Sequence, residues 1–195
     1  SFAQVGGTAA FADIDLSAGN PNANQNFVMN AITNNGDGSF ADNVVTYTLK
    51  AALNNPGNVD QIASGQQVAN VYRIANNQSV EVQIGDTPAD TISNLKAVFR
   101  RIASQAGDGS HATPTKHEGL FVVSDLDETS FRLTHILKGE ASRGDKNGDF
   151  AIRVTDTAAN LVIKGASAAN NAHDEITNGE TGFFKEGSDG TESTL

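Results

Sequence analysis

The chain has 195 residues, 13 basic and 23 acidic side chains, and so a formal net charge of −10 with histidine neutral, which argues against nucleic acid or an anionic membrane as its main partner, since both require a positive footprint. It has no cysteine, which excludes a disulfide framework, a thiolate nucleophile and a thiolate metal site. A charged fraction of 18%, with 19 Gly and 20 Asn together making one residue in five, describes a chain rich in turns and poor in long helices.

The length suits one domain, 1–195, with a sizeable core. No apolar run approaches a membrane span, and Ser1-Phe2-Ala3-Gln4 lacks the basic-then-apolar layout of a secretory signal. Residues 8–16, TAAFADIDL, alternate Ala10, Ala12, Ile14 and Leu16 against Phe11, Asp13 and Asp15 and predict a half-buried strand. Residues 17–26 break it. A second strand is predicted over 27–32, a turn over 34–38, and a third strand over 44–53, where VVTYTL is β-branched and aromatic. Pro56 in the turn after it removes a ladder donor.

The apolar positions of 58–79 fit neither the helical nor the strand period, and the segment reads as an inserted loop excursion with one short strand over 68–74. Strict alternation returns in Val80, Val82 and Ile84 and leads into a well-signalled helix. Thr87 stands at the N-cap, Pro88 at the first helical position and Asp90 where its carboxylate reaches back to the cap. Ile92, Leu95, Phe99 and Ile102 form one apolar stripe and Gly107 supplies a stop, so the helix has one face to bury against a sheet. After a polar connection, 106–118, strands are predicted over 120–124, 130–137, 150–155 and 161–163. The tail from about 165 is small, polar and acidic, and is expected over the surface or against a neighbouring subunit. The fold class is mainly β (α+β): an antiparallel β-sandwich of about seven or eight strands with one amphipathic helix packed on it.

Several constellations invite a chemical reading. Asp145, Asn147 and Asp149 place oxygen ligands at alternate positions, as calcium loops do, with Asp156 at the twelfth position; the misplaced glycine and the lack of flanking helices favour a plain turn. Asp125, Asp127 and Glu128, read as lying between two strands, are weighed as paired acid/base carboxylates against a solvated turn, which is favoured. His111, His117, His135 and His173 show no close metal spacing, and His135 reads as a satisfied, partly buried strand residue. Lys96, Arg100 and Arg101 read as a solvated face or a salt-bridge partner. The tetrapeptide at 36–39 and 107–110, Gly-Asp-Gly-Ser, has no phosphate-loop context, and no G-x-S-x-G is present. No catalytic, cofactor or metal residue is therefore assigned, and several sheet edges fit a subunit of something larger.

The stretch VTYTLKAAL at 45–53, the Asn55-Pro56-Gly57 turn, Val82-Gln83-Ile84-Gly85 and the helix opening Asp90-Thr91-Ile92-Ser93-Asn94-Leu95 together resemble a domain that recurs in tailed-bacteriophage virion proteins. Lys146-Asn147-Gly148 before a strand, and Asp189-Gly190-Thr191 near the end, occupy the places of that family's later motifs. The insertion 58–79, and Lys185-Glu186 where more glycine is usual, depart from the pattern. The resemblance implies a non-enzymatic virion structural protein, foremost a capsid decoration subunit acting as a homo-oligomer, trimer or hexamer, on the major capsid protein. A tail tube, sheath-associated or fibre protein is the near alternative. An adhesin-like carbohydrate-binding module and a glycosidase using Asp125 and Asp127 are the readings from other classes.

Overall fold

The computed structural model describes residues 4–5, 9–31, 33–34, 37, 39–53, 71–104, 115–138, 152–164, 167–168, 175–184 and 191–192. Its strands are β1 (Gln4–Val5), β2 (Ala9–Asp15), β3 (Asn26–Ala31), β4 (Thr33–Asn34), β5 (Phe40–Ala41), β6 (Val44–Lys50), β7 (Tyr72–Asn76) and β8 (Ser79–Gln83). After the helix α1 (Pro88–Ser104) come β9 (Phe121–Asp127), β10 (Ser130–Lys138), β11 (Ile152–Asp156), β12 (Val162–Lys164), β13 (Ser167–Ala168), β14 (Glu175–Ile176), β15 (Thr181–Phe183) and β16 (Thr191–Glu192).

Period-two patterning sorts these strands into two main sheets. One has five strands in the order β14-β12-β2-β10-β9, the other seven in the order β13-β15-β11-β3-β6-β8-β7. Ala10, Ala12 and Ile14 of β2 and Phe131 and Leu133 of β10 are buried on the first sheet; Phe27 and Met29 of β3, Val45, Tyr47 and Leu49 of β6 and Val80 and Val82 of β8 are buried on the second. These alternate residues give each sheet one apolar face, and the two faces make a sandwich core. The fold is thus the expected mainly-β sandwich with a helix, built from more strands than expected. The surplus consists of segments of two or three residues, too short to show alternation. β6 and β8 pair in parallel, Tyr47 opposite Val80, because the chain leaves β6 and returns through the β7–β8 hairpin.

The helix begins as its sequence requires. The Asp90 amide donates to Thr87 Oγ1 at 3.2 Å and the Thr87 amide to Asp90 Oδ2 at 3.1 Å, a reciprocal capping box. Its buried face is Ile92, Leu95, Val98, Phe99 and Ile102, and it meets both sheets, β9 and β10 on one side and β7 and β8 on the other. The Phe99 ring lies 4.7 Å from Tyr47 and 6.4 Å from Phe27 on the seven-stranded sheet, and 5.9 Å from Phe131 and 6.3 Å from Phe121 on the five-stranded one. The helix therefore closes the side of the sandwich where the two sheets end, rather than covering one sheet alone.

The junction into the helix is tight. The Gly85 amide donates to Thr91 Oγ1 at 2.9 Å, Thr91 Oγ1 donates to Asn20 Oδ1 at 2.7 Å, and Asn20 Nδ2 donates to the Gly85 carbonyl at 3.0 Å. A Cβ on Gly85 would stand 2.3 Å from Asp90 Cβ and 2.9 Å from the Asp90 carbonyl carbon, so the first turn of the helix would have to move. Gly85→Ala is expected to cost about 1–3 kcal/mol by overpacking, a fall in Tm of roughly 3–10 °C. A thermal melt superimposable on wild type would refute that close approach.

Three sequence expectations are corrected. The third strand stops at Lys50 rather than running to residue 53. Residues 54–70 lie outside the described set, but the rest of the supposed insertion is an arm of a hairpin: Tyr72 pairs with Val82 and Ile74 with Val80, both inward, so this arm is a sheet strand that starts later than predicted. The tail does not simply lie over the surface. β14 pairs with β12, β15 pairs with β11 and β13, and Ile176 and Phe184 are fully buried, because two apolar residues in a polar segment suffice to dock it.

Candidate functional site

Asp125 and Asp127 belong to the exposed strand β9, and only Glu128 lies in the hairpin turn between strands. Asp125 accepts from Lys96 Nζ at 3.1 Å and from Arg100 Nη2 at 2.8 Å, which ties the helix to β9 and uses two of the three residues of the basic cluster. Those two donors hold its carboxyl below the usual range, Lys96 contributing most. Asp127 is held low by Ser130 and then by Thr129, whose amide donates to it at 2.9 Å across the turn. A glycosidase needs one carboxyl raised to serve as acid at neutral pH. Both members of this pair are exposed and shifted the other way.

His117 departs most from its expected setting. Read as part of a polar connection, it is fully buried, its ring 5.9 Å from Tyr47 and 5.5 Å from Phe121. Nε2 donates to the Asn43 carbonyl at 2.7 Å, which leaves Nδ1, 2.9 Å from the Tyr47 hydroxyl, as the acceptor of the phenolic proton. Burial lowers the imidazole to about 4 and raises the Tyr47 phenol well above its ordinary value, so both are neutral at physiological pH. The pair pins the loop around 115–120 to β6. His135 is buried on β10, opposite Phe121, more deeply than its sequence reading implied. His111, His173 and the calcium candidates Asp145, Asn147 and Asp149 lie outside the described residues, as does Gly107. Among the described residues no three His, Asp or Glu side chains converge as a metal ion would require.

Asp156, weighed from sequence only as the last position of a calcium loop, sits inside the core at the end of β11. Oδ1 accepts the Ala158 amide at 2.7 Å, and Oδ2 is buried with no partner. The Asp156 amide donates to the Glu180 carbonyl at 3.0 Å and the Gly179 amide to the Asp156 carbonyl at 2.7 Å, so this residue also holds the turn before β15. Burial pushes the carboxyl up to about 7, with the Glu180 charge adding to the effect. Nothing in the local sequence separates this Asp from a surface one.

The outer surface of the five-stranded sheet is ordered by charge. Arg132 makes paired bonds to Asp13, 2.7 and 3.0 Å, and its guanidinium lies 4.1 Å from the Phe11 ring centre; Lys164 reaches Asp15 at 3.3 Å. Towards the β9 end this order gives way to apolar exposure: Val122 is 52% exposed, Ile136 49% and Leu126 45%. β9 is the last strand of its sheet among the described residues. The Ile136 amide donates to the Leu120 carbonyl, and the register runs on through Val122 opposite Thr134 and Ser124 opposite Arg132. The even-numbered residues of β9 therefore bond to β10, and the backbone groups of Phe121, Val123 and Asp125 point to the open edge. A bulge between Asp125 and Asp127 sets Leu126 out of register with β10. Comparisons with protein-family models, with curated proteins and with solved structures gave no significant match.

Proposed function

We propose that the chain is a non-enzymatic virion structural protein, foremost a capsid decoration subunit that bridges neighbouring capsomers through edge-strand and loop contacts. The observation that carries this reading is the edge of β9, which has no strand partner beyond it among the described residues and is flanked by exposed Val122, Leu126 and Ile136. A strand edge with apolar side chains beside it is a surface for pairing with other protein, and here the bulge between Asp125 and Asp127 limits the regular part of that edge to the stretch before it. Of the described polar groups that looked chemical from sequence, Asp125 holds the helix, Asp127 closes a hairpin, and His117 is bonded to Tyr47. The sequence resemblance to tailed-phage virion domains supports the setting, with self and the major capsid protein as partners.

Negative-stain microscopy of particles labelled with an antibody to this chain is expected to decorate the capsid surface. Label confined to tails would replace this reading with a tail tube, sheath-associated or fibre role. A carbohydrate-binding module is less well supported, because Tyr47, Tyr72, Phe27, Phe99, Phe121, Phe131 and Phe184 are buried and Phe11 lies beneath Arg132. Sugar recognition by stacking has no ring platform among these residues.

A further inference from the structure

We propose that β9 pairs antiparallel with β9 of a second copy of this chain, about a two-fold axis at Ser124, joining two five-stranded sheets into one of ten. This rests on reading the β9 edge as an assembly contact, and it names the partner and the register.

The parity of the ladder restricts the choice. Because Phe121, Val123 and Asp125 offer the free backbone groups, new hydrogen-bonded pairs must join odd-numbered residues of both strands. Centring the axis on Ser124 satisfies this: Val123 of each copy exchanges bonds with Asp125 of the other. Ser124 then faces its own copy, and Val122 faces Leu126, as non-hydrogen-bonded pairs whose side chains approach most closely. Two of the most exposed apolar side chains, Val122 and Leu126, thereby cover each other twice. Centring on Val123 also respects parity, but it sets Val122 against Ser124 and leaves Leu126 beyond the paired stretch.

Charge is consistent with the same register. Like charges directly opposite would oppose pairing, yet Asp125 falls opposite Val123, and Asp127 lies past the bulge, where it pairs with Ser130 of β10. Each Asp125 also carries its own Lys96 and Arg100 counter-charges. The −10 charge on each copy opposes association at long range, so added salt should strengthen the dimer. The contact is isologous and closes at two copies, so a trimer or a hexameric ring would need a separate surface.

The chain has no cysteine, which makes Ser124→Cys a specific probe on an exposed strand position. Facing residues of a non-hydrogen-bonded pair stand about 4.5 Å apart at Cα, within disulfide range. Full-length Ser124→Cys is expected to form a disulfide-linked dimer under mild oxidation, at a rate about tenfold or more above that of Val122→Cys. The double variant Val122→Cys/Leu126→Cys should cross-link as Ser124→Cys does. Sedimentation velocity over a concentration series should show wild type shifting from monomer to dimer, more readily at high salt, and Val122→Lys remaining monomeric with an unchanged melt. Equal cross-linking of Ser124→Cys and Val122→Cys, or a wild type that is monomeric throughout, would overturn the pairing. Monomeric protein that still labels capsids would overturn it while leaving the decoration reading intact. A cross-linked dimer that labels no particle would support the pairing and remove the virion setting.

Discussion

Leu95→Asp is expected to abolish soluble folding. Leu95 is fully buried at the centre of the α1 stripe, with Ile92 before it and Phe99 after it, also without exposure. The helix lies where both sheets end, so its apolar face serves as core to both, and the damage would not be confined to one layer. An ionised carboxylate there would have to lose its hydration with no paired cation, or stay protonated well above its normal range, and either costs several kcal/mol. Domains of this kind have net stabilities of about 5–15 kcal/mol, so such a loss removes most of the margin. Milder changes should grade accordingly: Leu95→Ala about 2–5 kcal/mol and Phe99→Ala about 3–5 kcal/mol. Circular dichroism melts of the three variants test the order, and a Leu95→Asp protein melting with wild type would show that the helix face is not core.

The fold was legible where local signals and tertiary contacts agree. Ala10, Ala12 and Ile14 alternate in sequence and face inward in β2, and Thr87, Pro88 and Asp90 mark a helix start that the bonds reproduce. Legibility failed where burial depends on distant partners. Ile176 and Phe184 sit in a polar, acidic tail, and only the strands they pair with reveal that they are core. His117 looks like a loop residue because Tyr47 and Asn43, 70 and 74 positions away, supply its polar contacts.

The same division runs through the site residues. Lys96, Arg100 and Asp125 are each visible as charges, but the sequence leaves the cluster as either a solvated face or a salt-bridge partner, because which acid it meets depends on how α1 lies against β9. The Ile84-Gly85 and Asn94-Leu95 pairs that carried the family resemblance have a packing reason here. Gly85 admits the helix start, Asn94 Nδ2 donates to the Gln83 carbonyl at 2.9 Å, and Leu95 is core. Such residues recur wherever a strand must turn tightly into a helix, so they specify a junction more strongly than a virion position.

The pH dependence of stability should expose two buried groups that oppose each other. Asp156 is raised from 3.8 to about 7, so its contribution is fully present below pH 3.8 and is lost as pH rises through about 7, where the unpaired Oδ2 must ionise beside Glu180. His117 is lowered from 6.5 to about 4, so its contribution is present above pH 6.5 and is lost as pH falls through about 4, where a proton on Nδ1 would break the bond from Tyr47. Each shift amounts to about 3–4 kcal/mol at ~1.4 kcal/mol per pH unit. Between about pH 4 and 6.5 the unfolded chain binds a proton at His117 while the folded chain holds one at Asp156, and the two slopes cancel. The lowered carboxyls Asp15, Asp37, Asp125 and Asp127 lose their contributions only as pH falls below 3.8, outside that window. Wild type should therefore show a nearly flat stability plateau there. Asp156→Asn keeps an acceptor for the Ala158 amide and removes one slope, so its stability should rise by about 3 kcal/mol from pH 4 to 6.5. His117→Gln should instead fall by a similar amount, and the double variant should be flat again. Urea unfolding at half-unit pH steps checks all four profiles; a wild-type stability that rises across this window as steeply as that of Asp156→Asn would mean that the Asp156 carboxyl is already ionised, and solvated, in the native protein, and a plateau that survives in Asp156→Asn would mean that His117 contributes no slope.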